Sequence, residues 1–216
     1  MKKLSTFILL AFFSFGCSNS MENSMNPFFT DYDAPYQIPP FDEIKEEHYM
    51  PAFERGMKEQ LEEIDQIANN PEQPTFENTL VEIERTGKTL SKVADVFFNI
   101  LSSNTNEQMD KIAAEVSPKL SAHSDAISLN KKLFNRVNLV YEQRNELGLN
   151  TEQKRLVEET HKGFIRSGVQ LDTQSMEKLT QINQELSSLS VQFDQNLLKE
   201  TNEGYSLLID DENQLD

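Results

Sequence analysis

The stretch Asn150–Asn202, NTEQKRLVEETHKGFIRSGVQLDTQSMEKLTQINQELSSLSVQFDQNLLKETN, decides the fold. It reads as two consecutive helices joined by a tight turn. In the second, Leu179, Ile182, Leu186, Leu189, Phe193 and Leu197 recur every three or four residues, which places all six on one face of a 3.6-residue helix. Asn150 or Thr151 caps the first helix, with Gln153 spaced to complete a capping box from Asn150. Gly168 supplies a left-handed stop and Asp172 the cap of the second helix. A long helix with a single apolar stripe needs partners to be stable. The spacing assigns the stripe to packing, not to a cofactor.

Outward from this pair the chain is helical almost throughout. Helix is expected to start near Tyr49 or Met50, because Pro51 fits only a first turn, and to run to Asn69 with Phe53, Met57, Leu61, Ile64 and Ala68 inward. Thr75 caps an expected helix from Phe76 to Ser102, whose Phe76, Leu80, Ile83, Gly87, Leu90, Ala94, Phe97 and Leu101 keep an unbroken spacing. Gly87 and Ala94 would let a neighbour approach closely. Asn104 to Asn106 make a turn; helices follow over Glu107–Ile127, bent at Pro118, and over Lys131–Leu147, with Gly148 as stop. Tyr205–Ile209 reads as a lone short strand. The fold class is all-α, a multi-helix body over residues 46–216. Residues 26–45 form an extended arm rich in proline and aromatics, in which Pro27, Pro35, Pro39 and Pro40 exclude helix. Phe28, Phe29, Tyr32 and Tyr36 are expected to lie on the body.

The N-terminus reads as an address. Residues 1–17, MKKLSTFILLAFFSFGC, combine a basic start with an apolar run of about a dozen residues, too short for an ordinary spanning helix. Cys17, the only cysteine, excludes an intrachain disulfide. The segment resembles a bacterial lipoprotein signal peptide, which implies lipidation of Cys17, export, and anchoring to a membrane of the cell envelope or periplasm. Gly16 fits that pattern, while Ser14 and Phe15 depart from it. An ordinary signal peptide with an incidental cysteine is the alternative. Residues 18–25 would be a tether.

Composition limits the chemistry. The 216 residues carry a formal net charge of −16, which argues against nucleic acid as a partner. His48, His123 and His161 stand in no H-E-x-x-H pattern and read as surface or capping residues. Glu62-Glu63 and Glu158-Glu159 read as solvated faces, and Phe97, Phe98 and Phe193 as core. No catalytic, cofactor-binding or metal-ligating residue is assigned.

The phrases EHYMPAFERGMKEQ (47–60), NNPEQPTFENTL (69–80), VFFNILSSNTN (96–106), KLSAHSDAISLN (119–130), LFNRVNLVYEQRNELGL (133–149), FIRSG (164–168) and INQELSSLSVQFDQNLLKETN (182–202) occur in a fixed order. In that order they resemble the N-terminal portion of a bacterial peptidyl-dipeptidase, of the zinc metallopeptidase family that includes oligopeptidase A and thimet oligopeptidase. The resemblance covers residues 26–209. It implies a two-lobed helical fold around a deep channel that admits short peptides. It also implies a Zn²⁺ ion held by an H-E-x-x-H pair and a further glutamate, and this chain carries none of those residues. The chain is therefore expected to be the scaffold lobe of a zincin-type oligopeptidase, cut short before its catalytic domain, binding no zinc and inactive alone. The alternative is a stand-alone helical lipoprotein that binds peptides or serves structural interactions.

Overall fold

The computed structural model describes residues 26–204, and there the chain is helical with short connections. Cys17, the tether and the expected strand Tyr205–Ile209 lie outside the described residues. The helices are α1 (Glu46–Ala68), α2 (Glu82–Arg85), α3 (Lys88–Ser103), α4 (Glu107–Ser128), α5 (Lys131–Gln143), α6 (Thr151–Arg166) and α7 (Thr173–Lys199). A π-helical turn, Phe76–Val81, leads into α2, and another, Glu200–Gly204, follows α7. Among the described residues, no helix is long and apolar enough to cross a membrane.

Local chemistry sets most boundaries. Asn106, Asn130, Asn150 and Asp172 each accept backbone amides at the start of α4, α5, α6 and α7. Asn150 and Gln153 form the expected capping box, and Gly168 takes the left-handed conformation (φ 92°) that ends the turn after α6. Helix α1 starts earlier than Pro51 predicts. His48 Nδ1 accepts the Lys45 amide at 3.0 Å, closing the first turn upstream of the proline. Pro51 forgoes one bond on an exposed side, which the burial of Tyr49 and Ala52 offsets.

Two apolar cores share α1. Its N-terminal half brings Tyr49, Ala52 and Phe53 against Phe28 of the arm, Val93, Val96 and Phe97 of α3, and Met109, Ile112 and Val116 of α4. The Phe97 ring meets Tyr49 and Phe53 edge-on, with centroids 5.0 and 5.3 Å away. Its C-terminal half brings Ile64 and Ile67 against Phe76 and Leu80, Val137 and Val140 of α5, and Val157 and Phe164 of α6. Leu61 is exposed, because the inward face between these halves is taken by Gly56 and Gln60.

The expected unbroken helix over 76–102 is broken at Gly87, whose φ of 75° lies in the left-handed region. The break redirects the chain, so that Phe76 and Leu80 enter one core and Val93 and Phe97 the other. At Gly87 the close neighbour is the Gln60 side chain, whereas the backbone-to-backbone close approach is at Gly56. A Cβ there would lie 2.7 Å from the Leu90 backbone nitrogen of α3. The arm also differs from expectation. It carries single 3₁₀ turns, Pro27–Phe29 and Pro35–Gln37, since proline suits a first helical position. Asn26 Nδ2 donates to the His48 carbonyl at 2.8 Å and Phe28 is buried, whereas Tyr36, at φ 61°, is 97% exposed.

Arg136 of α5 fixes the connector from α1 to the π-helical turn. Its buried guanidinium donates to the Asn70 and Glu72 carbonyls at 2.8 and 3.0 Å and to Asn78 Oδ1 at 3.0 Å. The α1–α3 crossing makes a separate demand. Gly56→Ala should destabilise the chain by about 1–3 kcal/mol, since the Leu90 backbone cannot yield as a side chain would. Urea unfolding checks this through a lowered midpoint at unchanged slope, and an unchanged midpoint would show that the helices can part without cost.

Candidate functional site

Each of the three histidines is held by contacts within the helical body. His48 closes the first turn of α1. His123, 8% exposed, points Nε2 at Gln60 Oε1 across 2.7 Å. Gln60 Nε2 donates in turn to Thr86 Oγ1 at 3.2 Å, and Thr86 Oγ1 to the Ile83 carbonyl at 2.9 Å. His161 lies face to face with Tyr141, centroids 3.9 Å apart and planes 4° from parallel. Phe134 stacks against His161 at 5.4 Å, and the Arg144 guanidinium covers Tyr141 at 4.0 Å. Asn138 Oδ1 meets His161 Nε2 at 3.0 Å. His123 is thus buried and His161 half-buried between aromatic rings, not the surface or capping residues expected, because helix packing closes over their partners.

The acidic pairs are equally accounted for. Glu63 accepts the Gly87 amide at 2.8 Å, and Glu158 and Glu159 pair with Arg144 and Arg155 at 3.2 and 2.9 Å. Among the described residues, no group of three or more His, Cys, Asp or Glu could hold a metal ion. The residues described here therefore do not fit a zinc site.

What remains unusual is α7. Its inward face is largely polar beyond Met176 and Leu179: Asn183 Nδ2 donates to both Asp125 oxygens of α4, at 2.9 and 3.1 Å, and Gln195 Nε2 to the Asp110 carbonyl at 2.9 Å. Val191 alone reaches the first core. With about 100° per residue, Asn183, Ser187, Val191 and Gln195 lie on a row roughly opposite Ile182, Leu186, Leu189, Phe193 and Leu197. Those five apolar side chains are 50–66% exposed, and no residue of α7 is buried. Five of the six residues of the stripe expected in the core therefore face away from it, while Leu179 is half-buried beside Gly168. Phe98, also expected inside, is 38% exposed at the edge of the Phe53–Phe97 cluster.

No protein-family model matches the chain. It is 40% identical over 188 residues to the dipeptidyl carboxypeptidase of Salmonella typhimurium, covering 87% of this chain and 28% of that protein. Against the dipeptidyl carboxypeptidase of Escherichia coli the identity is 38% over 192 residues, with 89% and 28% covered. Against the Escherichia coli oligopeptidase A it is 24% over 190 residues, with 88% and 27% covered. The chain thus spans about 28% of the length of the dipeptidyl carboxypeptidases it matches.

Burial, full at His123 and partial at His161, holds both histidines below the ordinary value of 6.5; at His161 the Arg144 charge adds to this and Glu142 opposes it. The unfolded chain then takes up protons first as pH falls, so the stability present above the ordinary value is lost as pH drops toward the lowered ones. Thermal unfolding midpoints should fall between about pH 7 and pH 5.5, and less so in a His123→Gln, His161→Gln double variant. Parallel curves for the two proteins would remove the histidines from the explanation.

Proposed function

We propose, from the similarity to dipeptidyl carboxypeptidase and oligopeptidase A, that the chain serves as the N-terminal helical lobe of a zinc peptidase acting on short peptides. The observation that carries this reading is 40% identity sustained over 188 residues, 87% of the chain. The higher identity to the two dipeptidyl carboxypeptidases than to oligopeptidase A favours release of dipeptides. The helical body suits the role physically. Two cores locked by one shared helix make a stiff wall, and a channel between stiff walls excludes folded proteins while admitting extended peptides.

In this reading the zinc chemistry belongs to polypeptide of the kind its relatives carry beyond the matched length. The contribution of the described residues is shape: a wall for the channel, without a metal ligand or a proton-transfer group. The purified chain should neither bind zinc stoichiometrically nor hydrolyse peptides. Chelator-sensitive release of C-terminal dipeptides by this chain alone would overturn the assignment.

We further propose export and lipid anchoring through Cys17, supported by the basic start, the apolar run and Gly16 ahead of the cysteine. Each buried methylene of an acyl chain contributes about 0.8 kcal/mol, so two or three chains anchor firmly. Cys17→Ser should move the protein from the membrane to the soluble fraction. Continued sedimentation of the variant with membranes would rule out the lipid.

A further inference from the structure

We propose that the outward apolar stripe of α7 is the surface on which this lobe docks the remaining polypeptide of a peptidase of this family; the inference rests on the lobe reading above. Ile182, Leu186, Leu189, Phe193 and Leu197 form a continuous row about 22 Å long. Half or more of each side chain is exposed, on the order of 500 Å² of apolar surface in all, near the upper end for the largest patch on a monomer. The outward orientation is built in. Asn183 and Gln195 fasten the opposite face to α4, so rolling the stripe inward would break those hydrogen bonds and strand Asp125.

The charges narrow the occupant. A helix lying on an anionic lipid surface carries Lys and Arg beside its apolar stripe. Here α7 carries Glu177, Glu185 and Asp194 against Lys178 and Lys199, in a chain of net charge −16. The same charge disfavours a second copy, because two such lobes repel. An apolar protein face of mixed or basic charge meets neither objection. The dipeptidyl carboxypeptidases matched over 188 and 192 residues extend well beyond that region, since the match covers 28% of each. Polypeptide of that origin is the occupant the observations favour.

The test is reconstitution in trans. The tagged chain is co-expressed with the part of the Escherichia coli dipeptidyl carboxypeptidase that lies outside the match, and compared with a Leu186→Glu, Phe193→Glu variant. Both side chains are exposed, so circular dichroism of the variant should be unchanged. The expected result is a one-to-one complex with the unaltered chain and binding weakened more than tenfold in the variant. Equal capture by both would overturn the docking surface while leaving the lobe reading intact. No capture by the unaltered chain, in the presence of soluble partner, would overturn both. A stable dimer of the unaltered chain, or its binding to phosphatidylglycerol vesicles, lost in the variant, would overturn the proposed occupant.

Discussion

Gln60 and Glu63 hold the point at which the chain is allowed to stop being one helix. Glu63 takes the free amide of Gly87, Gln60 bridges His123 and Thr86, and Glu59 accepts the Thr89 hydroxyl at 2.7 Å. These contacts replace the intrahelical bonds lost where α2 gives way to α3. Without the break, Phe76, Leu80, Val93 and Phe97 would continue along one straight stripe and could not serve two cores. The redirection also favours a residue without a side chain, because the φ of 75° at Gly87 is left-handed and a Cβ there would also press on the Gln60 side chain. A polar belt across the middle of α1 thus decides where both apolar clusters form.

The sequence is most legible where the governing chemistry is local. The capping pair Asn150–Gln153, the caps Thr75 and Asp172, and the stops at Gly148 and Gly168 depend on residues within one turn of each other. The all-helical class and most helix positions follow from such signals together with the apolar period. Legibility fails where the deciding partner is remote. Gly87 and Gly56 look alike in sequence, yet Glu63 and Gln60 make the first a break, and Leu90 makes the second a crossing point. Leu61 satisfies the helical period but loses the inward face to Gln60, whose partner His123 lies on another helix.

The α7 stripe shows the same limit in its sharpest form. A period identifies an apolar face without saying what covers it. Asn183 and Gln195, which orient the helix, find their partners on α4, and the rule that places leucine inside overlooks them. The absence of an assigned catalytic residue has a different origin. The histidines and glutamates that could suggest chemistry serve the packing of this body, and the likeness to peptidases lies in the ordered phrases of the whole chain, not in any one reactive group.

The sharing of α1 also bears on how the body comes apart. Two cores on separate helices could open one at a time, giving regions that exchange their amide hydrogens independently. Here the turns of α1 that carry Phe53 and Ile64 are joined by an uninterrupted ladder, with the belt at Gln60 between them. Fraying from either end must cross that belt before reaching the other core. The body is therefore expected to open as one cooperative unit, with its slowest-exchanging amides in the middle of α1, where Met57 and the polar Gln60 face inward.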